Sequence, residues 1–247
     1  MSALDRNPAL RVRDLAETLE VSAETIRRDL AELDEAGRIN RTYGGAVRGQ
    51  VSEPHLAERL SLHVPARQAI ARCAASLIEG AETIYVGGGA TVLHFVRGLR
   101  SLDRRLSVLT PAYRVAAELS VNPHIQILCL PGLFEGKEGL VTGPETLAAI
   151  DRFRAPVAVM GASALDASGV SEAMLGPSEV YAAMIDASDT SLILADRSKF
   201  DRRALALITP WSERVHLVSD AAPPAPLAEA LTASGAALTV ADDDEPE

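Results

Sequence analysis

The sequence predicts an α/β protein in two parts: a small N-terminal helix-turn-helix carrying a β-wing, then a larger, mostly parallel α/β domain. Three observations predict it. Residues 12–36 hold two stretches with apolar residues at helical spacing, joined by a tight turn. Residues 38–47 then alternate as a short hairpin does. From about residue 65 onward, short apolar runs such as TIYVGG, LSVLTP, IQILCLPG, PVAVMGAS, TSLILAD, ALITP, RVHLVSD and ALTVAD alternate with amphipathic or alanine-rich pieces. Continuous apolar strands alternating with helices imply a parallel sheet covered on both faces.

At 247 residues the chain has room for a small domain and a medium one. Its hydrophobic content of 47% and charged content of 23% are those of a soluble globular protein. No apolar run approaches the roughly 18 residues of a membrane helix, and the N-terminus has no apolar core region of a secretory signal. The expected location is therefore cytoplasmic. Cys73 and Cys129 lack CxxC spacing, which argues against a thiolate metal site, and their apolar surroundings predict buried free thiols. A formal net charge of −10 argues against indiscriminate nucleic-acid binding but leaves room for a locally basic reading head.

That head is legible residue by residue. In its first helix Val12, Leu15, Ala16 and Leu19 form an apolar stripe. After a turn at Glu20-Val21, Ser22 is placed to cap a second helix, with Glu24 in the first turn. Thr25 stands where Glu or Gln would complete a capping box. Ile26, Leu30 and Leu33 define the buried face; Arg28 points nearly opposite and Arg27 flanks the stripe. An arginine pair at the start of the second helix is where base edges and phosphates are met in a major groove. Gly37 ends the helix, and Arg38, Arg41 and Arg48 then give a wing with no acidic residue. The candidate DNA-contacting residues are Ser22, Thr25, Arg27, Arg28, Arg38, Arg41 and Tyr43. The alternative is a surface helix whose arginines pair with Asp29, Glu32 and Asp34, because residues 1–60 hold 9 basic and 11 acidic side chains.

The run SAETIRRDLAEL followed by GRINRTYGGAV resembles the winged helix-turn-helix of the DeoR family of bacterial transcriptional regulators. Thr25 to Leu30 match its T-I-R-R-D-L, and Gly44, Gly45 and Ala46 match its G-G-A. The family normally has a full helix ahead of this segment, whereas only MSALDRNPALR, interrupted by Pro8, precedes Val12. The expectation is a translation start upstream of Met1; the alternative is a weakened head. The resemblance runs over residues 12–220. It implies that the larger domain is an effector-sensing domain of Rossmann-like, sugar-phosphate isomerase and CoA-transferase type. The expected division is 1–50 reading head, 51–64 connector, 65–241 α/β domain and 242–247 acidic tail.

Ligand groups in such a domain belong at the C-terminal ends of parallel strands. One strand runs into Gly87, Gly88 and Gly89 and a helix opening at Ala90 and Thr91, a ready anion cradle; a tight packing turn is the alternative. Thr110 ends a second strand, Lys137 lies in a glycine-rich loop, and Asp196 and Lys199 lie in ILADRSKF, similar to the family's L-A-D-x-S-K-F. The family usually has Asp at the position of Gly87, Thr at Ala90, Asn at Pro111 and Lys at Tyr181. These departures keep a backbone cradle and remove charge, so an unphosphorylated sugar, a sugar acid or another small metabolite stands beside a sugar phosphate as the expected effector.

The five histidines form no acid/base constellation, and neither catalysis, a metal nor a cofactor is expected. The expected function is a DNA-binding repressor of a carbohydrate or related catabolic operon, controlled by a small metabolite bound to the C-terminal domain. It would act as a homo-oligomer, dimer or tetramer, on a double-stranded DNA operator, with no membrane partner. The alternatives are an isomerase-like enzyme and a ligand sensor that binds no DNA.

Overall fold

Chain contacts separate residues Met1–Ser52 from Glu53–Glu247. The structure, a computed structural model, describes residues 9–18, 21–35, 39–42, 45–48 and 54–241. Pro8, Leu19, Glu20, Gly37, Arg38, Tyr43, Gly44 and the acidic 242–247 lie outside the described residues.

In the first unit the helical spacing does what it predicts. Strand β1 (Ala9–Arg11) leads directly into α1 (Val12–Thr18), followed by α2 (Ala23–Glu35), β2 (Ile39–Thr42) and β3 (Gly45–Arg48). Leu15, Ile26 and Leu30 are buried where α1 packs on α2. The wing is antiparallel, but it has three strands where the alternation predicted two. Leu10 pairs with Ala46 and Asn40 with Val47, giving the order β1-β3-β2. Residues 9–11 of the segment before Val12 are thus an edge strand of the wing.

The second unit continues as α3 (Leu56–Arg59), α4 (Val64–Ser76), β4 (Thr83–Val86), α5 (Ala90–Gly98), β5 (Leu106–Thr110), α6 (Tyr113–Leu119) and β6 (Ile125–Cys129). Then come β7 (Leu133–Glu135), β8 (Leu140–Thr142), α7 (Pro144–Ile150), β9 (Ala155–Gly161), β10 (Ala164–Asp166), β11 (Gly169–Glu172) and α8 (Leu175–Asp186). It closes with β12 (Ser188–Leu194), β13 (Ala206–Thr209), β14 (Val215–Ser219), α9 (Ala225–Ser234) and β15 (Ala237–Val240). Seven of these strands form one parallel sheet in the order β15-β14-β12-β9-β4-β5-β6. Successive strand residues point to opposite faces. Ile84, Tyr85 and Val86 are nonetheless all wholly buried, so both faces of the interior strand β4 are covered, as a parallel sheet requires.

Three sequence expectations change here. The run ALITP is not a parallel strand: it forms β13, which joins β10 and β11 in a separate antiparallel sheet. That pairing needs Gly169 at φ +137°, where a Cβ would lie 2.2 Å from the Thr209 carbonyl oxygen. The glycine-rich loop around Lys137 contains the β7–β8 hairpin, and the residues after it form α7. Cys129, expected to be buried, is exposed because β6 is the sheet's outermost strand on that side. Among the described residues no helix is long and apolar enough to cross a membrane.

Phe95 is fully buried on α5, which packs against α4. Truncating it leaves a cavity, so Phe95→Ala should lower unfolding stability by about 3–5 kcal/mol, measured as a lower urea midpoint at unchanged m-value.

Candidate functional site

The reading helix is held by its cap. Ser22 Oγ accepts a hydrogen bond from the Thr25 backbone N–H at 3.0 Å, and the two hydroxyls lie 2.8 Å apart. This satisfies one of the donors that every helix N-terminus leaves open. Just beyond the cap, Arg27 Nη1 lies 2.9 Å from Glu24 Oε2, and Arg28 Nε lies 3.9 Å from Asp29 Oδ1. The two arginine side chains are 55% and 73% exposed. Exposed pairs of this kind contribute about 0.2–1 kcal/mol each, so an incoming phosphate can replace the carboxylate. Self-pairing and availability are therefore compatible. Arg41 belongs to β2, and Arg38 and Tyr43 are not among the described residues.

The second candidate site follows from topology. From β4 the chain proceeds through β5 and β6 to one side, whereas β9, β12, β14 and β15 fill the other. The connections leaving β4 and β9 diverge, and a crevice opens at their carboxyl ends. Gly88, Gly89, Ala90 and Thr91 line it from one strand, and Gly161 and Ala162 from the other. Arg59, Arg67, Glu138, Glu172, Tyr181 and Lys199 complete the lining. Gly89 caps α5 at φ 109°, ψ 158°, a backbone conformation that glycine adopts without a Cβ penalty.

Charge inside the crevice is internally matched. Arg59 pairs with Glu138 and also donates to the Pro54 carbonyl at 3.1 Å. Arg67 lies 3.3 Å from Asp196 and donates to the Arg59 carbonyl. Glu172 Oε1 accepts from Ser163 Oγ at 2.8 Å and from the Ala173 N–H at 2.7 Å. Burial works against the Asp196 charge, but the Ser198 hydrogen bonds and the charges of Arg67, Lys199 and His63 outweigh it and hold the carboxyl below its ordinary value.

The structure thus brings together Gly88, Gly89, Ala90, Thr91, Tyr181 and Lys199. Gly87 lies beneath the Tyr181 ring, and Asp196 stands behind Arg67. Thr110 is buried, accepting from the Ala112 N–H at 3.1 Å, and is not among the lining residues; neither is Lys137, in the β7–β8 turn. Sequence reasoning missed Arg59, Arg67, Glu138 and Glu172. One signal was available: Arg67 shares a helix face with Ile70, Ala71 and Ala74, where a cation is out of place unless paired. A wider concavity of about 1000 Å³ lies at the amino ends of β4, β5 and β6, around Thr83, Ser107 and Gln126. That is the wrong end of the strands for a ligand site of this fold.

A capped helix-turn-helix with a wing, followed by a parallel α/β domain with a crevice at its switch point, is the architecture of a DNA-binding transcriptional regulator. Residues 2–50 match the DeoR-like helix-turn-helix domain and residues 62–221 the DeoR C terminal sensor domain, and the chain belongs to the DeoR family. It is 29% identical to the HTH-type transcriptional repressor CsqR of Escherichia coli over 237 residues, covering 95% of this chain and 90% of that one. It is 30% identical to the L-fucose operon activator of the same organism, covering 86% and 88% of the two chains. Identity to the E. coli glycerol-3-phosphate regulon repressor is also 30%, over 89% and 87%. These relatives are regulators of transcription, and both signs of control occur among them.

Asp196 has a depressed folded-state value, so its Ser198 hydrogen bonds and its pairing with Arg67 together contribute stability above the ordinary value of 3.8, which is lost as pH falls through the lower folded value. Removing one partner leaves a buried charge unmatched. Asp196→Ala should therefore cost about 3–5 kcal/mol at neutral pH, and the gap to the native chain should narrow as urea titrations move to acid.

Proposed function

We propose that this chain is a sequence-specific repressor of a carbohydrate or related catabolic operon. It grips a double-stranded DNA operator with α2 and the wing, and a small metabolite at the β4–β9 crevice changes its operator affinity. The observation that carries the reading is the capped α2 with Arg27 and Arg28 exposed on its first turns, in a chain whose net charge is −10. An acidic protein gains little from general attraction to phosphate, so basic groups concentrated at one helix end and a wing give contact where shape also fits.

Ser22 and Thr25 set the helix start, Arg27 and Arg28 meet base edges and phosphates, and Arg38, Arg41 and Tyr43 of the wing follow the backbone. At the crevice the effector meets Gly88 to Thr91, Tyr181 and Lys199, with Gly87 beneath the Tyr181 ring, Asp196 supporting through Arg67, and Thr110 and Lys137 at greater remove. Two heads in a homo-oligomer, a dimer or tetramer, would match a repeated or palindromic operator. The effector shifts the balance between two head arrangements only by its differential affinity for them. The expected division is a reading head at 1–50, a connector at 51–64, a sensing domain at 65–241 and an acidic tail, and the place of action is the cytoplasm.

Fluorescence anisotropy with DNA from the region upstream of the protein's own coding sequence, across a salt series, tests the reading. Specific binding should exceed that to random DNA, with affinity falling as salt rises. Arg28→Ala should weaken it roughly tenfold and reduce the salt slope by about one. Equal binding to random and upstream DNA, or no effect of Arg28→Ala, would sink it.

A further inference from the structure

Tyr181 occupies the place where the glycine turn would otherwise meet a ligand. Its hydroxyl oxygen accepts the Gly88 backbone N–H at 3.1 Å, so a donor of the turn at the head of α5 is already taken. Its ring lies over Gly87, where even a Cβ would come within 2.9 Å of Cε1. Tyr181 is 4% exposed and lines the crevice together with Glu138 and Glu172. Burial, reinforced by the charges of Glu172 and Glu138, pushes the phenol well above its ordinary value, so its proton stays on the oxygen.

Size and charge constrain what can enter. The space left at the foot of the crevice is about 20 Å³. That is room for roughly one water or one hydroxyl, not for a phosphoryl group. The lining cations Arg59, Arg67 and Lys199 stand against Glu138, Glu172 and, behind Arg67, Asp196. Most of the positive charge is thus already matched before a phosphate dianion could meet it. A cavity of one hydroxyl's size, lined by carboxylates and cations together, suits an uncharged group that both accepts and donates.

We propose that Tyr181 is the specificity-determining residue of this crevice: it closes the glycine turn to phosphoryl groups and selects an uncharged polyhydroxy ligand, a sugar or polyol, one of whose hydroxyls accepts the Tyr181 proton. The inference rests on the effector-controlled reading above and names the class of effector. The rest of the ligand lies toward the mouth of the crevice. Ordering Tyr181 and the Arg59–Glu138 pair around it couples α8, α3 and the β7–β8 turn to occupancy.

The test uses the full chain, isothermal titration calorimetry and thermal unfolding. The probes are inorganic phosphate and a panel of triose to hexose sugars and polyols with their monophosphates. In the native protein an uncharged member should bind at least about tenfold more tightly than its monophosphate, and inorganic phosphate should leave the unfolding temperature unchanged. Tyr181→Ala frees the Gly88 N–H and the space beside Gly87, so it should gain phosphate binding and reverse the order within each pair. Tyr181→Phe keeps the ring over Gly87 and removes the hydroxyl. It should still exclude phosphate while weakening the uncharged ligand roughly tenfold, which keeps the proposal testable if the alanine variant does not fold.

Binding of phosphate or a monophosphate to the native chain as tight as to Tyr181→Ala overturns the proposal. So does a panel in which no uncharged member binds, or a Tyr181→Phe variant indistinguishable from the native chain. Operator binding measured on the same samples separates the two claims. A chain that grips its operator and responds only to monophosphates keeps the regulator reading and loses this one.

Discussion

Everything in the larger domain depends on one constraint of parallel sheets. Neighbouring parallel strands cannot be joined by a tight turn, so each must be followed by a crossover that covers a face. Where the strand order changes direction, between β4 and β9, the two crossovers leave on divergent paths and their first residues cannot close over the strand ends. The crevice is a consequence of connectivity before any side chain is chosen. Side chains decide only what stands in it.

In this chain they are charged and matched. Arg59 and Glu138 are 79 residues apart in sequence, Arg67 and Asp196 129 apart, yet all four are almost wholly buried. Taking such groups out of water costs several kcal/mol per ion, and an apolar set of similar volume would hold the fold at least as well. Stability alone therefore does not account for them. What they add is a polar floor whose parts come from α3, α4, the β7–β8 turn and the end of β12, each fixed by the next. The Arg59 carbonyl accepting from Arg67 links the two pairs into one body.

The sequence made the strands and most helices plain, because parallel strands buried on both faces read as unbroken apolar runs. It was equally clear about Ser22, whose cap depends on residues three positions away. It failed where the deciding partner is remote. The antiparallel pairing of ALITP with β11 turns on how closely Gly169 approaches Thr209, which no local pattern encodes. Arg67 stands out in sequence on an apolar helix face, but its partner Asp196 lies 129 residues away and no local pattern names it. In sequence Tyr181 reads as an absent charge; its positive role, a ring seated on Gly87 and a hydroxyl on the Gly88 N–H, exists only where α8 meets the turn after β4.

The pairing of Arg27 with Glu24 has a consequence for ions in solution. Should α2 meet DNA as proposed, each arginine that turns to a phosphate displaces a condensed cation from the duplex. The carboxylate it abandons is then bare and draws a cation from the medium. For Arg27 the two movements partly cancel, so it releases fewer ions than Arg28, whose carboxylate neighbour stands 3.9 Å away. A head that brings its own counterions trades some of the grip that dilute salt would give for affinity that holds more evenly as the ionic strength of its surroundings changes.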